Sequence, residues 1–136
     1  IYDPMGYLHD ALYPVERSRQ AGAVLVAGSD APVDSRDPRP FENMAAGIVQ
    51  AAGSGDDFRA SQRTSLAEML AAYTINGARA VRQEAITGSI EAGKSADFIV
   101  LDRDLFALVK AGTPEQIAQT RVEQTVFMGE TVYRKP

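Results

Sequence analysis

Residues 23–27 read Ala-Val-Leu-Val-Ala, an apolar run with no charge, and the chain then changes character at once to Gly28, Ser29, Asp30, Ala31 and Pro32. A short apolar run ended by turn residues predicts a strand buried on both faces of a parallel sheet. Pro32 cannot donate to a ladder and biases Ala31 toward extended backbone, so the strand is expected to stop by Gly28. Ahead of it, Pro14 to Gln20 predicts a short helix with proline in its first turn and Gly22 as its stop. Helix, glycine and apolar strand are half of a βαβ unit, which makes a parallel sheet the natural expectation.

Downstream, residues 31–40 carry three prolines among charged residues and predict a loop. Residues 41–52 return to helical spacing, with Phe41, Met44, Ala45, Ile48 and Val49 on one face. Residues 64–81 form the strongest helical pattern. Leu66, Met69, Leu70, Tyr73, Gly77, Ala80 and Val81 fall three or four apart, and Ser65 with Glu68 matches a capping box. Gly77 costs about 1 kcal/mol in a helix interior. It predicts either a close neighbour or a break near Asn76. Tyr73, Thr74 and Asn76 fit helix packing and backbone bonding better than chemistry.

From Ile86 onward the pattern is that of strands. Gly88 and Gly93 mark turns, and residues 96–102 predict a strand. Residues 104–111 are ambiguous. Thr113 is expected to cap a short helix over residues 115–118. Residues 122–128 and 131–134 are β-rich and flank Gly129-Glu130, which suits a type II′ hairpin. The tail is thus a small β unit distinct from an α/β front.

Composition narrows what the chain can do. It has 136 residues, a net charge of −4 and no cysteine. Disulfides, thiolate metal sites and cysteine nucleophiles are excluded. No basic stripe with interleaved aromatics is present, so nucleic acid is not an expected partner. No apolar run approaches the roughly 18 residues of a membrane span, so no membrane partner is expected. No leader is visible although the first residue is Ile1; the expected compartment is the cytoplasm. His9 is the sole histidine, which rules out a histidine-rich metal site. Residues 1–12 read as an irregular lead-in. Gly53 and Gly55 are no phosphate cradle, because Asp56 and Asp57 would repel the anion.

Asp30 is the candidate for chemistry. It lies just past the carboxyl end of the predicted strand, where open α/β sheets and (β/α) barrels hold their active residues. A turn or cap role fits the local pattern equally. Arg36 and Arg39, in the loop that follows, either face substrate or are solvated.

Three stretches in order carry a family resemblance. They are Gly28-Ser29-Asp30, then the run from Ser65-Leu66 and Glu68 through Tyr73-Thr74 to Asn76-Gly77-Ala78, then Gly88-Ser89-Ile90-Glu91 with Gly93-Lys94 and Ala96-Asp97-Phe98-Ile99-Val100-Leu101-Asp102. Together with the closing Val126-Phe127-Met128-Gly129-Glu130-Thr131-Val132-Tyr133, they resemble the C-terminal end of metal-dependent amidohydrolases, in the branch that includes N-substituted formamide deformylase.

The resemblance implies an α/β fold plus a small β unit. Residues 1–85 would be the last βα part of a (β/α)8 barrel, with residues 23–28 as its eighth strand, and residues 86–136 the C-terminal strands of a flanking β-sandwich. Asp30 would be both a metal ligand and a catalytic residue. In that role it takes a proton from metal-bound water and returns one to the leaving nitrogen. The implied cofactor is a divalent metal, zinc by family chemistry, held by the full-length parent, and the implied substrate is a small amide-type molecule.

The family's His-x-His pair, its acidic bridging group and its two further histidines have no counterpart here. A catalytic zinc takes three protein ligands, so the chain reads as a fragment that binds no metal and is inactive alone. Its exposed strand edges would favour a homo-oligomer. The alternative is a stand-alone α/β binding or assembly module in which Asp30 is a turn residue.

Overall fold

The computed structural model describes residues 15–33, 38–49 and 63–136. The lead-in at residues 1–12 with His9, Arg36 and the glycine-rich connector at residues 53–62 lie outside them.

Among the described residues, four helices make the front. Helix α1 is Val15–Gln20, α2 is Pro40–Val49, α3 is Leu66–Tyr73 and α4 is Ile75–Ala80. The capping box predicted for α3 is present. Ser65 Oγ accepts from Glu68 N–H at 3.2 Å, and the Glu68 carboxylate accepts from Ser65 N–H at 2.8 Å. Two otherwise orphaned donors are thereby satisfied at the helix start. Arg19 of α1 reaches the Glu68 carboxylate at 3.2 Å, tying the first helix to the third.

The long helical pattern divides two residues before Asn76. Thr74 adopts φ −128° and ψ −100° between α3 and α4. Its hydroxyl donates back to the Leu70 carbonyl at 2.6 Å, an interaction that competes with the helix ladder and bends it. Gly77 has no close neighbour; the nearest atom to an added Cβ would be the Ala72 carbonyl at 3.9 Å. The break comes from threonine chemistry and not from that glycine.

After α4 the chain forms β1 (Phe98–Leu101), α5 (Leu105–Lys110), a 3-10 helix (Pro114–Gln119), β2 (Val122–Phe127) and β3 (Glu130–Arg134). The ambiguous residues after Asp104 are a helix because the Asp104 carboxylate accepts from the N–H groups of Phe106 and Ala107. Thr113 stands at the N-cap of the 3-10 helix as expected, but without a side-chain capping bond. Its hydroxyl turns back to the Leu108 carbonyl at 3.3 Å.

The sheet belongs to the β unit expected beyond Ile86. Among the described residues it has three strands in the order β1-β2-β3, both pairings antiparallel, with Phe98 opposite Val126 and Phe127 opposite Glu130. The hairpin turn is of a different type from the predicted one. Met128 and Gly129 are its two central residues, at φ 51° and 84°, so the turn is type I′. Its left-handed pair is held from the β1 lead-in. The Asp97 carboxylate accepts from Met128 N–H at 2.8 Å, and the Ala96 carbonyl accepts from Gly129 N–H at 3.1 Å.

One apolar cluster joins front and back. Met44 and Ala45 of α2, Leu66 and Met69 of α3, Leu105 of α5 and Ile117 of the 3-10 helix are buried together. Leu25 and Leu101 pack against this cluster from opposite ends of the chain. Among the described residues, no helix is long and apolar enough to cross a membrane.

Candidate active site

Residues 23–27 are extended but belong to no ladder among the described residues. The backbone is extended as expected, with one face covered among the described residues. Val24 and Val26 are 62% and 47% exposed, whereas Leu25, Ala27 and Ser29 are half-buried. The alternation is that of extended backbone covered on one side only. Among the described residues the covering surface is made of helices α3 and α4.

Two hydrogen bonds fasten the segment to that surface. Ala27 N–H donates to the Ala72 carbonyl at 3.2 Å, and the Asn76 side-chain amide donates to the Leu25 carbonyl at 3.0 Å. Three residues further on, Asp30 opens a tight turn closed by Val33 N–H on the Asp30 carbonyl at 2.8 Å. The Ala31–Pro32 bond inside this turn is cis, which makes it a type VI turn. Ser29 Oγ accepts from Ala31 N–H at 3.2 Å.

Asp30 itself has φ 52°. A non-glycine residue there is uncommon, although aspartate tolerates it better than most. Its side chain is exposed, and among the described residues its carboxylate meets no hydrogen-bond or ion-pair partner. An unengaged carboxylate at the end of a fixed extended segment can accept or return a proton, or supply one oxygen ligand to a cation.

The described residues do not complete a metal centre. No group of three or more His, Cys, Asp or Glu among them could hold an ion, and a catalytic zinc takes three protein ligands. Asp30 supplies one at most.

The other residues singled out above serve packing and backbone bonding. Tyr73 Oη accepts from Asn43 Nδ2 at 3.1 Å and ties α3 to α2. Arg39 pairs with Glu42 at 2.9 Å. Two carboxylates that the residue pattern passed over turn out to be structural. Asp97 accepts from Met128 N–H and from the hydroxyls of Ser95 and Thr87. These donors hold its carboxyl below the usual range, the Met128 amide foremost. Asp102 accepts two bonds from the Arg103 guanidinium and one from Arg121 N–H. Its carboxyl is held far below the usual range, chiefly by Arg103. Both sit beside β1 in the stretch from Ala96 to Asp102 that carried part of the resemblance, and the density of polar donors around them was the signal available in the sequence. An open cleft of about 640 Å³ lies between Asp102, Arg103, Arg121 and Lys135; it includes neither Asp30 nor its supports.

Comparisons with known proteins bear on the family and the fold of the chain. Residues 5–133 match the amidohydrolase family. The Bacillus subtilis protein YtcJ, an amidohydrolase by name, is 29% identical over 117 residues, covering 84% of this chain and 21% of its own length. N-substituted formamide deformylase from Arthrobacter pascens is 35% identical over 96 residues, covering 71% of this chain and 17% of its own. The chain therefore spans about a fifth of the length of these curated relatives. A crystal structure of an amidohydrolase from Thermotoga maritima superposes with a TM-score of 0.59 at 23% identity, over 90% of this chain and 26% of that one. That likeness extends to the fold, and with the family match over nearly the whole chain it establishes that this protein belongs to the amidohydrolase family.

Proposed function

We propose that the chain is the C-terminal portion of a hydrolase that cleaves non-peptide carbon–nitrogen bonds of the amide type, and that Asp30 is its catalytic carboxylate. Water adds to the substrate carbonyl, the carbon–nitrogen bond breaks, and a carboxylic acid and an amine leave. Asp30 accepts the proton of the attacking water and returns a proton to the departing nitrogen. The observation that carries this reading is the placement of Asp30. A carboxylate without a partner among the described residues follows an extended run, in a left-handed conformation, held by a turn on one side and by two hydrogen bonds to the helices on the other. Backbone in such a conformation persists where its surroundings over-determine it, and those places cluster at functional sites.

On this reading residues 1–85 close a barrel and residues 86–136 contribute to a sandwich. The cluster around Ile117 holds the two parts together. A divalent metal, zinc by its chemistry, belongs to the whole protein, and its remaining ligands come from outside this chain. The chain alone neither holds the metal nor turns over substrate, and it self-associates through the exposed Val24 and Val26 and the exposed apolar residues of β1 and β3. A clean monomer in size-exclusion chromatography with light scattering would overturn the last statement.

The activity is tested with simple N-substituted formamides as probes, the class named for the Arthrobacter pascens relative. In the whole protein, amine release is expected with these or related small amides. Asp30→Asn keeps the shape and removes the base, and is expected to lower kcat by about 100-fold or more with the melting midpoint unchanged. Full turnover in Asp30→Asn would sink the role given to Asp30.

A further inference from the structure

The direction in which Asp30 projects is decided by its own two backbone torsions, and one side-chain bond closes a ring around them. We propose that Ser29 is a positioning residue for Asp30, an inference that rests on the catalytic role given to Asp30 above.

Half-buried and exposed positions alternate along the segment: Leu25, Ala27 and Ser29 are half-buried, and Val26, Gly28 and Asp30 are exposed among the described residues. Ser29 is the last residue on the covered side, and Asp30 follows it on the other. Ser29 Oγ accepts from Ala31 N–H at 3.2 Å, the bond by which a serine closes a turn on the backbone two residues on. The ring so closed runs from the Ser29 side chain through the Ser29–Asp30 peptide and the Asp30 backbone to Ala31 N. It therefore contains both φ and ψ of Asp30. The next turn bond, from Val33 N–H to the Asp30 carbonyl at 2.8 Å, has a ring that begins at the Asp30 carbonyl carbon. That ring fixes residues 31 and 32 and includes neither torsion of Asp30.

Asp30 stands at φ 52°, a region that an L-residue enters at a cost because its Cβ crowds the following carbonyl. A bond that closes over this torsion offsets part of that cost. Whatever strands flank residues 23–28 in the whole protein, ladder bonds act on the N–H and C=O groups of those residues and end before φ and ψ of Asp30. The Ser29 bond is made within three consecutive residues and is independent of what lies alongside them. A carboxylate that takes a proton from water and returns one to a departing nitrogen must come within about 2.6–3.2 Å of each. It needs a fixed direction as well as a fixed place. The extended segment supplies the place, and the ring closed by Ser29 supplies the direction.

The test uses the whole protein with Ser29→Ala, Ser29→Thr and Ser29→Asn, and Asp30→Asn beside them. Ser29→Ala removes the acceptor. Ser29→Thr and Ser29→Asn keep one, since threonine and asparagine side chains close turns of the same kind. Ser29→Ala is expected to lower kcat on the formamide probe by about 10- to 100-fold with KM within about threefold and the melting midpoint unchanged, because small misplacements of a reacting group have effects of this size. At least one of Ser29→Thr and Ser29→Asn is expected to restore kcat to within about fivefold of the parent. Parental kcat in Ser29→Ala, or a loss that appears in KM alone, would overturn the proposal. So would a failure of both acceptor-keeping variants to restore kcat, whether folded or not, since the oxygen would then not be what matters. Unfolding of Ser29→Ala would count against it equally, because Ser29 would be a residue of the fold at large. If Asp30→Asn is fully active, the catalytic reading fails whatever the Ser29 variants do. If Asp30→Asn is inactive and Ser29→Ala is not impaired, the positioning inference alone fails.

Discussion

Two stretches of this chain look alike in composition and end differently. Residues 23–27 are Ala-Val-Leu-Val-Ala and lead to Asp30; residues 98–101 are Phe-Ile-Val-Leu and lead to Asp102. Each sends one leucine, Leu25 or Leu101, against the same buried cluster. The second is the outer strand of an antiparallel ladder, and its aspartate is engaged by Arg103 and by Arg121 N–H. The first is fastened to helices by two hydrogen bonds, and its aspartate carries no partner among the described residues. An apolar run dictates extended backbone and an inward leucine. What pairs with it, and whether the aspartate after it is occupied, depends on what lies alongside. Asp102 joins the end of β1 to the start of β2, while Asp30 ends its run without such a partner among the described residues.

Both runs lean on one core, and the largest expected effect follows from that. Ile117 is fully buried in the cluster that Leu25 and Leu101 both touch. Ile117→Ala should cost about 2–5 kcal/mol, the loss of transfer energy plus a cavity. In chemical denaturation with hydrogen exchange, residues 23–27 and 98–101 should loosen together. Loosening of the ladder alone would mean that the two runs do not share a foundation.

Gly88→Ala should separate them. The added Cβ meets Ala78 and Ile75, and the residue stands at φ +89°. Overpacking of this kind costs about 1–3 kcal/mol. Its displacement falls on α4, so the ladder should keep its exchange protection while residues 23–33 lose theirs. Gly129→Ala should do the reverse. The left-handed turn residue costs about 1–2 kcal/mol to replace, and β2 and β3 should fray while residues 23–33 are untouched. A shared response to both substitutions would show that the runs are coupled beyond the core.

The smallest effect concerns acid. The folded carboxyl of Asp102 lies below its unfolded value, so its contribution to stability is fully present above about pH 4 and is lost as pH falls toward the folded value. Asp102→Asn should lower the melting midpoint modestly at neutral pH and flatten the decline below about pH 4, with turnover unchanged. The same steepness in variant and parent would assign the acid sensitivity to Asp97, Glu68 and Glu91, whose carboxyls are also lowered by hydrogen bonds.

Much of this was legible in the order of residues. The capping box at Ser65 and Glu68, the break near the middle of residues 64–81, the turn after residue 27 and the β character beyond Ile86 are local matters. They follow from side chains that bond to their own backbone or from alternation along a strand. The position of Asp30, a few residues past an extended apolar run, was also legible. Local chemistry did not decide the turn type at Met128-Gly129 or which helices meet residues 23–27. The turn is type I′ because Asp97 and Ala96, some thirty residues earlier, hold its two amides. The segment at residues 23–27 is fastened to helices α3 and α4 by two hydrogen bonds that join residues about fifty positions apart.

Sequence by itself determined which backbone conformations and inward faces were favourable, since those energies arise between residues a few positions apart. Tertiary structure decided which groups met. A hydrogen bond such as Asn76 to Leu25 joins residues 51 positions apart, and no local pattern records whether its two ends will be brought within 3.0 Å.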